Sequence, residues 1–286
     1  MIPNNLKRTI LSFPFLLFTI IICSTLLTCE SDNSTQPSGN DQPHIDSMYT
    51  IKVMTYNTLN GGGYMPDFEP WAADHGYPGN RLPQIIDIIK TFDPDILGIQ
   101  EAAGWDRGNP SVADSVAQVL GMNYFLAPCN RPEVGFNHVV LFTKFQIESA
   151  VDYPDNFTRA ALQARLIEDH GLQIKVFIAH LSTGNEQDRN VPELQFISRT
   201  ISPYSNTLSL VMGDMNTSPY NFELYNPDWK RISGTDYGYV DQIWISEITN
   251  SVGEELSVRN YWSLMDLNNA SDHYPKIAKI TIYPTE

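Results

Sequence analysis

Cysteines and cations are scarce in this sequence, and it has no internal repeat. Three of its 286 residues are cysteines, and Cys23 and Cys29 lie near the N-terminus, so only Cys129 falls in the rest of the chain. A small domain held together by disulfides is therefore excluded. Lys and Arg number 18 against 33 Asp and Glu, a net charge of −15. This charge argues against a protein held on nucleic acid by bulk electrostatics. It leaves room for a nuclease, since local cations or a bound metal are enough to approach phosphate.

Charged residues are absent from residues 9–29, an apolar stretch that follows Lys7 and Arg8. This pattern is typical of an export signal. It ends in Leu-Leu-Thr-Cys29 before a polar run and resembles a bacterial lipoprotein signal, which is cut before a cysteine that then carries lipid. An uncleaved anchor is an alternative, because about 20 apolar residues span a bilayer; simple secretion is the other. We predict a signal peptide over 1–28, lipidation at Cys29 and an exported protein attached to a membrane through its N-terminal lipid.

Residues 29–47 are rich in Ser, Asn, Asp and Pro and predict a flexible polar tether. Residues 48–286 show no second linker and predict one α/β domain. Short β-branched and aromatic runs predict strands, and apolar residues at helical spacing predict helices. The strands are expected over 49–56, 95–100, 139–143, 161–167, 174–179, 208–212, 239–246 and 276–283, and the helices over 81–91, 112–120 and 191–201. This mixture favours two packed sheets flanked by helices.

A long segment, residues 61–80, separates the first strand from the first helix. It carries Tyr64, Phe68, Trp71 and Tyr77. Loops of this length are usually functional or mobile. Either the segment packs its own aromatic side chains down, or it forms a rim that recognises substrate.

Polar side chains follow or interrupt the apolar runs at several strand ends. Such groups are costly at the ends of buried strands unless they are paired or bind a ligand. The set comprises Asn57, Glu101, His180, Asp214, Asn216, Asp241, Asp272 and His273. Oxygen ligands from Asn57, Glu101, Asp214 and Asp272 suit Mg²⁺ or Mn²⁺ rather than zinc, because there is no thiolate cluster.

The order of these motifs resembles the endonuclease/exonuclease/phosphatase superfamily. The motifs are Asn57, Gln-Glu101, His180, Gly-Asp214-Met-Asn216, Val-Asp241 and Ser-Asp272-His273. The resemblance covers residues 50–282. It implies a four-layer α/β/β/α sandwich of two mainly antiparallel sheets flanked by helices, with the site at one edge of both sheets.

The resemblance also implies roles for individual residues. Glu101 looks like the main ligand of Mg²⁺, with Asn57 and Asp272 beside the metal; Mn²⁺ is the alternative, and Ca²⁺ a structural ion. His273 looks like the catalytic histidine and Asp241 the acid that orients it. Asp214 and Asn216 look like the pair that positions water and phosphate, with either His273 or Asp214 as general base. His180 and Arg159 look like phosphate contacts.

One departure concerns the partner of His180. The deoxyribonuclease branch carries an acid near the strand at 139–143, whereas this chain has Asn137 and His138 there. Asn137 or His138 substitutes for that acid, or neither does. For His138 itself we expect a structural or supporting role.

The substrate class stays open between nucleic acid and other phosphate esters. An extracellular nuclease is the favoured reading, and a phospholipid or sphingomyelin phosphodiesterase or a small phosphate-ester phosphatase is the alternative. A non-catalytic surface binding protein on the same scaffold is disfavoured, because every key polar group is present. No protein partner is implied, and we expect a monomer.

Overall fold

Two six-stranded β-sheets form the centre of the structure. The computed structural model describes residues 48–63, 69–77, 79–131, 137–183, 187–201, 207–233, 240–246, 251–255 and 270–284. The described residues all belong to one unit. Residues 1–47, with the predicted signal peptide, Cys29 and tether, lie outside them. No helix in the described part of the chain is long and apolar enough to cross a membrane.

The first sheet has the strand order β11-β12-β1-β2-β4-β3. Its strands are β1 (Tyr49–Asn57), β2 (Ile96–Gln100), β3 (Asn123–Ala127), β4 (Val139–Thr143), β11 (Ser251–Glu255) and β12 (Lys276–Ile282). All neighbours are antiparallel except β1 and β2, which run parallel.

The second sheet repeats this arrangement, with the order β5-β6-β7-β8-β10-β9. Its strands are β5 (Gln146–Asp152), β6 (Ala161–Ile167), β7 (Gln173–His180), β8 (Leu208–Asp214), β9 (Trp229–Arg231) and β10 (Asp241–Ser246). Here β7 and β8 are the parallel pair.

Helices cover the outer face of each sheet. They are α2 (Glu69–Asp74), α3 (Leu82–Phe92), α4 (Val112–Leu120), α5 (Gln187–Thr200) and α6 (Pro219–Tyr225), whereas α1 (Leu59–Gly63) is a left-handed turn with positive φ at each residue. Local chemistry defines the ends of α4, because Ser111 and Asp114 form a capping box and Gly121 ends the helix with a positive φ. The four-layer sandwich predicted from the resemblance is confirmed.

Strand side chains alternate between an inner core and the helical layers. Val53 of β1 faces the core between the sheets, whereas Met54 faces the core that α3 and α4 cover. Phe177 and Val211 of the second sheet pack with α5 and α6. The central strands are therefore buried on both faces, which explains their nearly continuous apolar runs.

The structure adds elements that the sequence did not predict, namely β3, β5, β9, β11, α1, α2 and α6. Strand β5 carries Glu148 and Asp152 and is largely exposed at a sheet edge, so its apolar alternation is weak. The segment 61–80 contains α2, and Tyr77 within it is half-buried. Tyr64, Phe68 and the Trp71 side chain lie outside the described residues.

Candidate active site

The two parallel strand pairs bring the predicted site residues to one edge. Asn57, the last residue of β1, is paired with Gln100, which immediately precedes Glu101. In the second sheet, Asp214 is paired with His180 on one side and with Asp241 on the other. The Asn57 amide joins the sheets, since its Nδ2 donates to Asp214 Oδ2 at 3.0 Å. Residues 157 positions apart thus form one site.

Glu101 is held by an unusual turn that follows β1. Asn57 Nδ2 donates to Glu101 Oε1 at 3.1 Å, and the Asn60 backbone N–H donates to Oε2 at 3.0 Å. Residues 59–63 of this turn all have positive φ. Gly61 has no room for a side chain, because a Cβ there would lie 2.3 Å from the Ala103 carbonyl oxygen. The glycines after β1 therefore let the backbone approach the Glu101 loop closely.

His273 and Asp241 form a close pair. The distance from His273 Nδ1 to Asp241 Oδ2 is 2.7 Å, while His273 Nε2 lies 3.9 Å from Asp214 Oδ2 and 3.9 Å from Asp272 Oδ1. Burial opposes a charge on this imidazole, but Asp241, with help from Asp214 and Asp272, raises the pKa of His273 to about 10. Asp241 thus favours the protonated form of His273, whose Nε2 is directed at the other carboxylates.

The turn that carries His273 is tied to the first sheet. Ser271 Oγ donates to the Asn57 carbonyl oxygen at 2.8 Å and accepts the His273 N–H at 3.2 Å. The side chain of Asp272 beside it is 39% exposed. The Ser-Asp-His motif thus uses its serine to fix the turn and presents the two other side chains at the site edge.

Asp214 lies at the centre of the network and is buried. Its Oδ1 accepts the Asn216 N–H at 3.0 Å, and its Oδ2 accepts from Asn57. Burial, reinforced by the charge of Asp241, raises the pKa of Asp214 above its usual value. Asn216 has φ 45° and donates through Nδ2 to the Leu181 carbonyl at 2.8 Å. The pKa of the Asp214 carboxyl group thus lies closer to neutrality than that of an ordinary aspartate.

Arg159 and His180 lie on the same side of Asp214. Arg159 Nη1 donates to His180 Nε2, which is 3.4 Å from Asp214 Oδ2. Burial, and then the Arg159 charge, lower the pKa of His180 well below its usual range. His180 is therefore neutral. The Nδ1 atom of His180 is buried without a hydrogen-bond partner.

Neither residue considered as a substitute acid pairs with His180. His138 instead accepts the Cys129 N–H at Nδ1, at 2.8 Å, and its Nε2 lies 3.2 Å from Asp106 Oδ1. Asn137 Oδ1 is buried and unpartnered. The His138 carbonyl accepts the Ala102 N–H next to Glu101, so the contacts of His138 are those of a structural residue.

The sequence did not single out Arg81, which lies buried beside the predicted metal ligands. Its Nη2 donates to the Leu59 carbonyl at 2.8 Å, and its backbone N–H bonds to the Gly62 carbonyl. Burial lowers the pKa of Arg81, and the charges of Asp272 and Glu101 act in the opposite direction. Its position just before α3 was the only sequence feature that could have drawn attention to Arg81. That feature does not indicate burial, because a charged residue at the start of a helix is ordinarily exposed.

The oxygen ligands at this edge fit a divalent cation. Each Glu101 oxygen accepts one hydrogen bond and keeps a free lone pair, and Asp241 Oδ1 is buried without a partner. Asp214, Asp241 and His273 also place ligand atoms within 4.8 Å of one another. The last group suits a metal less well, because a protonated His273 has no lone pair to give. Asn57 Oδ1 already accepts the Leu59 N–H at 3.0 Å, so Asn57 acts here as a donor between two acids.

Residues 54–273 match the Endonuclease/Exonuclease/phosphatase family. The chain belongs to this family. Its fold is similar to that of the human Nocturnin catalytic domain with bound sulfate (TM-score 0.59, 17% identity, 84% of this chain and 98% of that one). It is also similar to the mannosyl-6-phosphatase Bt3783 of Bacteroides thetaiotaomicron (0.58, 16%, 80% and 99%). A third similar structure is D. rerio TDP2 with a single-strand DNA product (0.55, 10%, 81% and 98%). No curated protein matches the sequence significantly.

Membership of the family accounts for the type of chemistry. Members are phosphoester hydrolases that typically depend on a divalent metal, and the acidic site of this chain agrees with that. At these identities the similar structures demonstrate the fold alone. The individual roles assigned to Glu101, Asp214, His273 and the other site residues stay predictions.

Proposed function

We propose that this protein is an exported, Mg²⁺-dependent hydrolase of phosphate esters. The observation that supports this most directly is the buried Asn57 amide, which donates to Glu101 and Asp214 at once. It joins a metal-binding carboxylate to a proton-accepting one across the two sheets. The Asp241–His273 pair and the Arg159–His180 pair lie on either side of Asp214.

Glu101 and Asp272 would hold the metal, with Asn57 beside them. When bound, Mg²⁺ or Mn²⁺ supplies positive charge that stabilises the phosphoryl oxygens and the leaving alkoxide. Burial, and the charge of Asp241, raise the pKa of Asp214, an effect that a nearby divalent cation would offset. Ca²⁺ as a structural ion has no support of its own in the described contacts.

The protonation states favour Asp214 over His273 as general base. Asp241 holds His273 in its charged form, so His273 has no free lone pair with which to accept a proton. Its Nε2–H can donate to a phosphoryl oxygen or to the leaving group. Asp214, whose Oδ2 lies 3.9 Å from His273 Nε2, accepts the proton of the attacking water.

Arg159 and His180 would bind the phosphate next to Asp214. The Arg159 guanidinium is directed towards His180 Nε2 and can instead offer two parallel N–H groups to two phosphate oxygens. Asn216 is fixed next to them through Leu181. A phosphorus atom between these donors and Glu101 would face charge stabilisation from both sides.

For the substrate we retain the nuclease proposal, with a small phosphate ester as second candidate. A nuclease is supported by the predicted export and by the single-strand DNA product bound to similarly folded D. rerio TDP2. A small ester is favoured by the net charge of −15, which repels a polyanionic backbone. The similar fold of a mannosyl-6-phosphatase agrees with that alternative. A phospholipid head group remains the third arm of the test.

The deciding experiment uses the purified chain without its predicted signal peptide. DNA, bis(4-nitrophenyl) phosphate, mannose 6-phosphate and a phosphocholine ester are each incubated with Mg²⁺, with Mg²⁺ plus Ca²⁺ and with EDTA. DNA cleavage that EDTA blocks supports the nuclease. Turnover of the small esters alone supports the second candidate. If no substrate is turned over in any metal, the proposed activity is wrong.

Export and membrane attachment are proposed separately, on the N-terminal sequence. Expression of the full chain in a bacterium that processes lipoproteins should give a membrane-bound protein whose N-terminal peptide begins at a lipidated Cys29. The variant Cys29→Ser should lose the lipid in mass spectrometry. A membrane-bound protein with residues 1–28 intact would instead support the uncleaved anchor.

A further inference from the structure

Helix α5 places two polar side chains on its buried face. Glu193 is 2% exposed and Asn190 is 6% exposed, and they lie beside the core residues Leu194 and Ile197. A carboxylate in such a place is costly unless its charge is compensated. The hydrogen bonds of Glu193 and Asn190 explain why a buried carboxylate is tolerated on this face of α5.

Both side chains bind the loops that carry the phosphate-binding residues. Glu193 Oε1 accepts the Thr158 N–H and the Ser182 hydroxyl, each at 2.9 Å, and its Oε2 accepts the Ser182 N–H at 2.8 Å. Asn190 Nδ2 donates to the Ser182 carbonyl at 3.0 Å and to the Met215 carbonyl at 3.2 Å.

The three segments held in this way all lead to the site. Thr158 is next to Arg159, Ser182 follows His180 by two residues, and Met215 lies between Asp214 and Asn216. The strands that lead into these segments are already paired, β6 with β7 and β7 with β8, and the His180 N–H bonds to the Ala160 carbonyl. One face of α5 adds a common anchor for the three loops beyond the ends of these strands.

We propose that Glu193, assisted by Asn190, is a positioning residue that holds Arg159 and His180 in phosphate-binding geometry. This inference rests on the proposed function. Glu193 does not itself face the phosphate, because its oxygens are buried and accept hydrogen bonds from Thr158 and Ser182. It acts through the Thr158 and Ser182 backbone.

The hydrogen bonds from Thr158 and Ser182 reach both side-chain oxygens of Glu193. Both oxygens must therefore be acceptors, as they are in a carboxylate. The variant Glu193→Gln keeps the size but replaces one acceptor with an NH₂ group that faces an N–H. The loops should then separate locally while the core around Leu194 stays packed. A shift near 1 Å at a reacting centre costs about a hundredfold in rate.

Glu168 offers a matched control for the loss of a buried carboxylate. It is 4% exposed and accepts the Tyr49 hydroxyl at 3.1 Å and the His170 N–H at 2.9 Å. It lies before β7, whereas His180 ends that strand, a separation of roughly 25 Å at about 3.3 Å per residue. The variant Glu168→Gln should therefore change stability without moving the phosphate site.

The first readout does not depend on activity. Hydrogen exchange at the Thr158 and Ser182 amides should become at least about tenfold faster in Glu193→Gln, since the acceptor of one or both is lost, and should be unchanged in Glu168→Gln. Unchanged exchange at both amides in Glu193→Gln overturns the proposal. This outcome can be told apart from failure of the proposed function, because in that case the parent protein itself would hydrolyse no ester.

The second readout is a double-mutant cycle with Arg159→Ala on whichever ester the parent hydrolyses. Glu193→Gln should lower kcat/KM by about 10- to 100-fold and raise the inhibition constant of inorganic phosphate. In the Arg159→Ala background the same change should cost less than about threefold, because the two residues act together. Fully multiplicative losses, or equal losses in Glu168→Gln, would show a general structural effect and reject a positioning role.

Discussion

The variant Asn57→Asp tests whether Asn57 serves as a metal ligand or as a donor between two acids. Its Nδ2 makes two bonds to carboxylates, at 3.1 and 3.0 Å, in a fully buried position. A hydrogen bond to a charged group contributes about 1.5–3 kcal/mol, so losing both costs roughly 3–6 kcal/mol of unfolding free energy. The new carboxylate also brings a third like charge against Glu101 and Asp214. The expected loss of unfolding free energy is a large share of the total for an ordinary domain, which is about 5–15 kcal/mol.

The assay is urea unfolding at pH 8 in EDTA and in saturating Mg²⁺, with Asn57→Ala for comparison. In EDTA we expect Asn57→Asp to be the less stable of the two, because alanine loses the bonds without adding charge. In Mg²⁺ the order should reverse, since three carboxylates bind the cation more tightly and binding at 100 times Kd adds about 2.7 kcal/mol.

The variant Asn226→Asp serves as the control. Asn226 is also buried, but its Nδ2 donates to the Phe222 carbonyl and not to an acid. Mg²⁺ should raise the unfolding free energy of Asn226→Asp by no more than it raises that of the parent. If Asn57→Asp is as stable as Asn57→Ala in EDTA, the Asn57 amide is not bridging two charged groups and the account of the site is wrong.

Three further predictions concern single groups. His273→Ala should lower kcat by about a hundredfold or more with unchanged circular dichroism, and an unaffected rate would remove His273 from the chemistry. Glu101→Gln should raise the Mg²⁺ concentration needed for half-maximal rate, and an unchanged titration would show that Glu101 is not a ligand. Burial lowers the pKa of His138, so the unfolded chain takes up the proton first and stability should fall as pH drops below about 6.5. His138→Gln should make this fall shallower in urea unfolding between pH 7.5 and 5, and an equal slope would contradict it.

The strands of the two parallel pairs could be predicted because they are apolar on both faces. The helix at 112–120 agrees residue for residue with α4, since its cap and its spacing are local. Strand β5 and helix α6 were missed, because edge strands and short helices carry little periodicity. The Asp, Glu and His residues at strand ends could be identified as a group, since polar residues interrupt apolar runs there.

The buried polar residues behind the site could not be identified in the same way. Glu193 lies at helical spacing from Leu194 and Ile197, which was a signal of burial, but the chain around it gives no hint of Thr158 or Ser182. Arg81 likewise reads as an exposed residue at the start of a helix. Their roles depend on loops that are distant in sequence.

By itself the sequence determined the α/β class, the central strands and the oxygen-rich chemistry of the strand ends. These properties follow from periodicity and composition, which record the local backbone. Only the tertiary structure decided that Asn57 lies between Glu101 and Asp214, residues 44 and 157 positions away. It also decided that His138 pairs with Asp106 rather than with His180. The reason is physical: contacts across two stacked sheets depend on strand order and register, and no local pattern encodes how one sheet lies on another.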